Sequence, residues 1–243
     1  SYVLLGDTLS ALASGTGGER LVGADALDIA RWYAGSEPVR KTLGFAAINA
    51  ITRHLFDRAG YVPPDALDSI GGLDPQAGES IGMIGLFPPL VKQVVARGAR
   101  LTVLELRADL AGAHEGFQIT LDPAALSGCD KVLSTSTVLL NDTLDAVLAA
   151  CTRARHRAFA LIGPGAGCLP DALFARGVTL LGGTWIESPA GFKAALGSGD
   201  VALRAFDPSP ERVPTATENA RAAGVRDFEA RTAKRIVTTG CGQ

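Results

Sequence analysis

Residues 80–89 have the sequence Ser80-Ile-Gly-Met-Ile-Gly-Leu-Phe-Pro-Pro89. An apolar run stops here at glycine, and a helical pattern opens directly after it. Residues 131–143 and 160–170 repeat the arrangement, with apolar runs that end at small or hydroxylated residues. We call these segments the first, second and third junctions. Open α/β sheets bind ligands at such carboxyl ends of strands, so the junctions predict both the fold class and the place where a ligand binds.

Apolar runs and helical patterns alternate from Ser80 onward. This alternation predicts an α/β fold with a Rossmann-like parallel sheet covered by helices on both faces, and the apolar strands suit burial on both sides. The predicted strands span residues 80–84, 100–106, 131–134, 157–162 and 178–182 or a little beyond, with a shorter segment at 116–121. The predicted helices span residues 88–97, 141–152, 171–176 and 188–196, and Asn141 or Asp142 is the expected N-cap of the second.

The first 65 residues differ in pattern from the rest. Residues 24–35 predict one helix, and Glu37-Pro38 opens a second, because proline is well tolerated in a first helical turn. Asn49 lies inside the apolar stripe of this second helix. Residues 8–18 are rich in Ser, Thr and Gly, and predict either a strand pair with a turn or a flexible loop.

A connector and a terminal segment flank the predicted sheet domain of residues 80–205. Residues 66–79 contain Gly71-Gly72 and Asp74-Pro75, which are typical of a linker. Residues 206–243 form a tail, in which residues 216–236 predict one polar helix.

The overall composition excludes several classes of protein. The chain has 23 basic and 25 acidic residues and a net charge of −2, which gives no electrostatic reason to expect nucleic acid. It contains no apolar run of about 18 residues that would predict a membrane span, and its first residues do not resemble a signal peptide. Four scattered cysteines without a CxxC pair predict a reducing, cytoplasmic location. A homodimer is the default expectation for a soluble oligomer.

The first junction partly matches a dinucleotide-binding loop. Gly82-x-x-Gly85 lies between a strand and a helix, and Glu105 follows 20 residues after Gly85, where such folds place the acid that binds ribose. However, Leu86 and Phe87 take the place of the expected glycine, and the two prolines lack the N–H groups that a phosphate needs. NAD(P) is therefore not expected. A turn kept for packing and a ligand platform with Phe87 as an apolar wall remain as alternatives.

The second junction is unusually rich in hydroxyl groups. Ser134-Thr-Ser-Thr137 stands where the strand ends, and Asn141-Asp-Thr143 follows at a helix start. Such groups can hold a carboxylate, a phosphate or a hydrated metal ion. Helix capping is the alternative, but capping needs only one or two of these residues.

The third junction joins a glycine-rich loop to a cysteine. The stretch Gly163-Pro-Gly-Ala-Gly167 allows close approach of a ligand, and Cys168 is either a reactive or metal-binding thiolate or a small buried apolar residue. His54, His114 and His156 do not pair at helical spacing, so local spacing predicts no zinc site.

Taken together, these segments resemble the prokaryotic family of putative heavy-metal chelation proteins. The resemblance runs in matching order over residues 5–200. The matching stretches are Leu43-Gly-Phe-Ala-Ala-Ile-Asn-Ala50, Gly82-Met-Ile-Gly-Leu-Phe-Pro88, Glu105, Thr135-Ser-Thr-Val-Leu-Leu-Asn-Asp-Thr143, Gly163-Pro-Gly165 and Leu173-Phe-Ala-Arg-Gly177.

The resemblance implies a small α+β enolase N-terminal-like domain in residues 1–65, followed by the Rossmann-like domain, with a site in the cleft between them. It implies that residues from both domains face this cleft. With their neighbours at the junctions, the predicted ligand-binding residues are Asn49, Gly85, Phe87, Glu105, Thr135, Ser136, Thr137, Asn141, Gly163 and Gly165. One departure concerns the third junction, where the family has a Ser-Thr-Pro-like stretch and this chain has Gly165-Ala-Gly-Cys168.

The expected function is binding of a small polar ligand, either a divalent metal ion or a metal-chelating organic molecule. Glu105 and Cys168 are the predicted metal ligands. One alternative is an enzyme of cofactor or metallophore biosynthesis that acts on an anionic small molecule, with Glu105 as acid or base. Another alternative is a nucleotide-binding protein.

Overall fold

The structure is a computed structural model that describes residues 7–15, 21–64, 72–152, 158–188, 190–192, 194 and 225–231. Within them, eight strands form one sheet in the order β3-β4-β2-β1-β5-β6-β7-β8. The strands are β1 (Ser80–Ile84), β2 (Arg100–Leu104), β3 (Gly112–His114), β4 (Phe117–Thr120), β5 (Lys131–Thr135), β6 (Ala158–Ile162), β7 (Leu180–Ile186) and β8 (Val225–Arg231). The central strands are parallel, and β3 and β8 pair antiparallel at the two edges. The predicted α/β class is confirmed.

Helices cover both faces of the sheet. They are α1 (Thr8–Ala13), α2 (Ala26–Arg31), α3 (Pro38–Arg58), α4 (Pro88–Ala96), α5 (Leu144–Thr152) and α6 (Asp171–Phe174), with short 3-10 helices at Trp32–Ala34, Ala108–Leu110, Pro123–Gly128 and Ser136–Leu139. Residues 190–192 and 194 of the predicted 188–196 helix are also helical. The described helices lack the combination of length and apolar character that crossing a membrane requires.

The apolar strands form two cores because successive side chains point to opposite faces. Val132 and Phe159 belong to one core, which also contains residues from α3, α5 and α6. Leu133 and Ala160 belong to the other core, which contains the buried face of α4. Burial on both faces explains why these strands are apolar at nearly every position.

The first block departs from the sequence prediction at residues 8–18. Thr8–Ala13 is a helix rather than a strand pair or a flexible loop. The α2 and α3 helices fall where predicted, and the Glu37 carboxylate accepts the N–H groups of Val39 at 3.0 Å and Arg40 at 2.6 Å at the start of α3. The described residues between 7 and 64 contain only helices and turns. The α+β character implied for this block therefore stays a prediction.

Differences in the sheet concern its edges. The sequence pattern predicts a helix across residues 216–236, but Val225–Arg231 is a strand that pairs antiparallel with β7. The remainder of that predicted helix lies outside the described residues. The pattern also misses β3, which pairs with β4. β2 ends at Leu104 rather than at residue 106, and β7 begins at Leu180 rather than at residue 178 and extends beyond residue 182 to Ile186.

Helix α3 lies across the carboxyl ends of β5, β6 and β7. The Lys41 ammonium forms an ion pair with Asp142 after β5, and the Asn49 amide donates to the Gly165 carbonyl after β6 at 3.3 Å. The Arg53 guanidinium lies 3.8 Å from the centre of the Trp185 ring on β7. These three contacts fix the position of the helix over one edge of the sheet.

The Lys41–Asp142 ion pair should contribute more to stability than a pair on the surface. The Lys41 side chain is only 6% exposed although that of Asp142 is 76% exposed. We expect Asp142→Asn to lower the free energy of unfolding by about 2 kcal/mol, because a buried ammonium loses its charged partner. Asn is chosen because it tolerates the left-handed backbone of this position (φ 59°). Urea denaturation measures the change.

Asp145→Asn is the matched control for this prediction. The Asp145 side chain is 77% exposed, like that of Asp142, but it pairs with Arg176, which is 54% exposed. We expect its loss to cost at most about 0.5 kcal/mol. Equal effects of the two substitutions would show that burial of Lys41 does not strengthen the pair.

Candidate functional site

The three junctions lie along one edge of the sheet. They follow β1, β5 and β6, which are parallel neighbours, and β2 lies beside β1. Because parallel strands end at the same edge, the loops after these four strands are adjacent. We call this part of the molecule the carboxyl edge.

Glu105 joins the loop after β1 to the loop after β2. Its Oε2 accepts the Leu86 N–H at 3.0 Å, and its Oε1 accepts the Leu106 N–H at 2.7 Å. Its own N–H donates to the Thr120 carbonyl at 3.0 Å. The carboxylate therefore holds the start of both loops, and its remaining lone pairs are the part that a ligand can use.

The first junction turns at Gly85 and enters α4 through prolines. Gly85 has φ +84°, and a Cβ there would lie 3.3 Å from Thr135 and 3.6 Å from the Phe87 ring. Phe87 precedes α4 and is half-buried, and Pro88 and Pro89 are the first two residues of the helix. The helix start consequently lacks two of the N–H groups with which it could bind a phosphate.

The second junction contains a pair of linked hydroxyl groups. Thr135 Oγ1 donates to Thr137 Oγ1 at 2.9 Å and accepts the Thr137 N–H at 3.2 Å. Both side chains are half-buried, whereas Ser136 between them is buried. The two threonines are thus partly exposed at the carboxyl edge, and Ser136 belongs to the interior.

Asn141 caps the turn that precedes α5 rather than the helix itself. Its Oδ1 accepts the Thr143 hydroxyl at 2.6 Å and the Thr143 N–H at 3.3 Å. The helix begins at Leu144, and the Thr143 carbonyl accepts the Val147 N–H. The expectation that Asn141 or Asp142 is the N-cap is therefore wrong by one or two residues, and Thr143 occupies that position.

The glycines of the third junction are required by contacts within the protein. A Cβ on Gly163 would lie 2.5 Å from Ser136 Oγ, and one on Gly165 would lie 3.1 Å from the same atom and 3.0 Å from the Phe45 ring. Gly163 also has φ +133°, which few other residues adopt. The loop is therefore packed tightly between the second junction and α3.

Asn49 connects α3 to this loop. Its Nδ2 donates to the Gly165 carbonyl at 3.3 Å, and its Oδ1 lies close to Gly167. The Oδ1 atom is buried and has no hydrogen-bond donor among the described residues. An unpaired buried carbonyl costs about 1–3 kcal/mol of stability. The contact between Asn49 and the loop after β6 therefore forms in spite of this cost.

Cys168 lies beside α3 in a setting that keeps its thiol protonated. Burial raises the pKa of the Cys168 thiol to about 11, and burial together with the nearby Cys168 and Asp142 raises the pKa of Tyr33 to about 12. The Tyr33 hydroxyl donates to the Leu139 carbonyl, and its ring stacks on Phe45 with 5.3 Å between centroids. At neutral pH Cys168 is thus a half-buried neutral thiol.

The predicted metal ligands Glu105 and Cys168 are not brought together. Glu105 directly follows β2 and Cys168 lies in the loop after β6, and these two strands are three positions apart in the sheet, about 14 Å between strand axes. Metal–ligand bonds are about 2.0–2.6 Å long. In the part of the chain that the structure describes, no three His, Cys, Asp or Glu side chains form a group that could hold an ion. These residues therefore do not fit a metal site built from protein ligands alone.

The histidines lie away from the carboxyl edge or outside the described residues. His54 is exposed on α3, and the His114 ring stacks on Phe117 with 4.9 Å between centroids. His156 falls outside the described residues. Sequence reasoning missed Tyr33, Lys41 and Phe45, which contact the second and third junctions. Phe45 lies within the stretch that carries the family resemblance, but for Tyr33 and Lys41 the sequence offered no comparable signal.

Close packing of the third junction makes a specific prediction for Gly163→Ala. The new Cβ would collide with Ser136 Oγ in addition to straining the backbone, whereas Gly177→Ala (φ +99°) has free space within 4 Å and suffers only the backbone strain. We expect Gly163→Ala to lower the free energy of unfolding by about 2 kcal/mol more than Gly177→Ala, measured by urea denaturation.

Ser136→Ala supplies the double-mutant cycle. Removing the hydroxyl should recover part of the stability lost in Gly163→Ala, because the colliding atom is gone. Strict additivity of the two substitutions would contradict the contact.

Comparison with known proteins agrees with this architecture. The family model described as "DUF364: Putative heavy-metal chelation" matches residues 68–208, more than half of the 243 residues. The comparison with curated proteins gives no match.

Two solved structures of this family are similar to the chain. A protein of unknown function from Pyrococcus horikoshii has 18% identity and a TM-score of 0.62, over 88% of this chain and 77% of that one. A protein of unknown function from Desulfitobacterium hafniense has 21% identity and a TM-score of 0.55, over 86% of this chain and 75% of that one. These likenesses support the fold. Since the family model covers most of the chain, the resemblance found in the sequence is confirmed, and the protein belongs to the DUF364 family, described as putative heavy-metal chelation.

Proposed function

We propose that this protein binds a small polar ligand at the carboxyl edge, between α3 and the three junctions, and that the ligand is a metal ion or an organic molecule that chelates one. The observation that carries the proposal is a set of half-buried, oxygen-bearing side chains along this edge: Glu105, Thr135, Thr137 and Asn141. Around them, the predicted residues Asn49, Gly85, Phe87, Ser136, Gly163 and Gly165 form the walls and the floor of the site.

The chemistry of these groups favours a ligand held by hydrogen bonds. Hydroxyl and amide groups both donate and accept, and the carboxylate accepts. The description of the family supports a metal. However, the Asp109 and Asp142 carboxylates of these loops are already paired with Arg107 and Lys41. Glu105 accepts two backbone N–H groups, so a metal complexed by an organic molecule suits the site better than a bare ion. Cys168 remains a candidate ligand only in its deprotonated form.

Two features argue against the rival functions. In dinucleotide folds the acid after the second strand binds ribose hydroxyls, but each oxygen of Glu105 already accepts one backbone N–H group, so only its remaining lone pairs are open to a ribose. The same two hydrogen bonds favour a positioning role for Glu105 over proton transfer in an enzyme. Pro88 and Pro89 at the start of α4 weaken the case for a bound phosphate.

A thermal-shift experiment tests the proposed ligand site. The probes are Zn²⁺, Co²⁺ and Ni²⁺, each alone and as its citrate complex, together with citrate, ATP and NAD⁺. A ligand present at about 100 times its Kd should stabilise the protein by about 2.7 kcal/mol. We expect a shift with at least one metal or metal complex, and we expect Thr137→Val to remove it, because the hydroxyl at the carboxyl edge is lost.

Thr102→Val is the matched control. Thr102 is a half-buried residue in the middle of β2, outside the loops of the carboxyl edge, and it accepts a hydrogen bond from Gln118 at 3.1 Å. The shift should persist in this variant. A shift with ATP or NAD⁺ only would favour the nucleotide-binding alternative, and a shift that survives Thr137→Val would place the ligand elsewhere.

The raised pKa of Cys168 predicts a pH dependence. Burial raises the pKa of this thiol from 9.0 to about 11, so its thiolate fraction at pH 8 should be about 100-fold lower than in the unfolded chain. Iodoacetamide should alkylate Cys168 correspondingly slowly, and a soft metal should bind more tightly as the pH rises. Mass spectrometry of the Cys168 peptide, native against unfolded in urea, measures the rate.

The same shift has a definite sign for stability. The pKa of Cys168 is higher in the folded protein than in the unfolded chain. Its protonated thiol therefore contributes fully to the free energy of unfolding below about pH 9, and this contribution is lost as the pH rises through about 11. Cys168→Ser should remove this contribution. Equal alkylation rates for the native and unfolded chains at pH 8 would contradict the burial of the thiol.

A further inference from the structure

Leu106 is unusually exposed for a residue at the end of a buried strand. Its side chain is 76% exposed, although it lies two residues after Leu104, the buried end of β2. Its backbone is nevertheless fixed, because its N–H donates to Glu105 Oε1 at 2.7 Å. Leu106 is therefore an apolar residue held in a defined place at the carboxyl edge.

Leu106 does not stand alone. The same Glu105 carboxylate accepts the N–H of Leu86 at 3.0 Å, so it links Leu106 to the loop that carries Leu86 and Phe87, both half-buried. On the other side, the Glu105 N–H donates to the Thr120 carbonyl, which places the 47% exposed Leu121 at the end of the neighbouring strand. We call Leu86, Phe87, Leu106 and Leu121 the apolar patch.

The Phe87 end of the apolar patch lies near the hydroxyl pair of the second junction. Gly85 lies between them, since a Cβ on it would be 3.3 Å from Thr135 and 3.6 Å from the Phe87 ring. The strands β2 and β5 are two positions apart, which corresponds to about 10 Å. One small molecule can therefore reach both Leu106 and Thr137.

We infer that the ligand of this site is an organic molecule with an apolar, flat portion that lies on Leu106 and Phe87 and a polar end that reaches Thr135 and Thr137. This inference rests on the proposed function and specifies the class of its ligand. A bare ion, with bonds of about 2.0–2.6 Å, cannot span about 10 Å. Leu106 is then a specificity-determining residue.

The size of the apolar patch favours a small molecule over a protein partner. A stable protein interface buries about 800 Å² on each side, and four side chains of which two are half-buried offer much less. Pockets for small organic ligands combine apolar walls with a few placed polar groups. The apolar patch and the Thr135–Thr137 pair have that composition.

The test uses 8-anilinonaphthalene-1-sulfonate as the probe, because it joins aromatic rings to one polar sulfonate. We expect a saturable rise in its fluorescence on the native protein. Leu106→Ser should raise its Kd about tenfold, because most of the apolar contact at this position is lost. Thr137→Val should also weaken binding. Leu106 is exposed, so the variant should fold, and its melting temperature checks this.

Leu9→Ser is the matched control, since Leu9 is 68% exposed on α1 and is remote in sequence from the junctions. Its Kd for the probe should equal that of the wild type. The inference is overturned if the wild type shows no saturable binding, if Leu106→Ser binds as the wild type does, or if Leu9→Ser weakens binding equally.

The two proposals can fail separately. If Thr137→Val removes the thermal shift with a metal complex while Leu106→Ser leaves probe binding unchanged, the ligand site stands and the assignment of its apolar portion is wrong. If Thr137→Val changes neither the thermal shift nor probe binding, the ligand site itself is wrong.

Discussion

The candidate site depends on the close approach of the loop after β6 to Ser136 and to α3. A side chain at position 163 or 165 would meet Ser136 Oγ within 2.5–3.1 Å, and at position 165 also the Phe45 ring at 3.0 Å. The 2.5 Å distance and the φ of +133° exclude a side chain at position 163, and at position 165 the neighbouring side chains would have to move. Because the loop lies this close, α3 reaches the carboxyl ends of the strands, and Asn49 and Lys41 contact the third and second junctions. A bulkier loop would move α3 away and open the edge.

The elements that the sequence predicted well are those specified locally. The apolar runs ending at Ile84 and Ile162 became strands, because burial on both faces requires continuous apolar residues. The missed elements depend on distant partners. Residues 225–231 contain Glu, Ala and Arg, which favour helix, yet they form β8 by pairing with β7. β3 likewise exists only through its pairing with β4. Pairing across the chain outweighs local preference in both cases.

At the site, the sequence located the junctions but not the reason for their composition. A glycine-rich loop is expected both where a ligand approaches and where another part of the protein does, since each needs the missing Cβ. Gly163 and Gly165 both lie against Ser136, 27 and 29 residues earlier in the chain, and Gly165 also lies against Phe45, 120 residues earlier. No local pattern encodes such contacts. The resemblance to a family supplied Asn49, and the structure connects it to Gly165.

Glu105 is the point at which the polar and apolar parts of the carboxyl edge meet. Its two backbone hydrogen bonds leave it poorly suited to surround a metal ion, yet they fix the backbone of Leu86 and Leu106 at the same edge of the sheet as the Thr135–Thr137 hydroxyls. By holding the backbone of these two loops, the Glu105 carboxylate determines the shape of the carboxyl edge more than the charge of that edge. With the Asp109 and Asp142 carboxylates paired to Arg107 and Lys41 and a protonated thiol at Cys168, the groups that hold a metal most tightly would have to come with the ligand. A chelating activity is then compatible with this edge if the protein recognises the organic part of a metal complex, and its selectivity for the metal would follow from the chelator rather than from protein side chains.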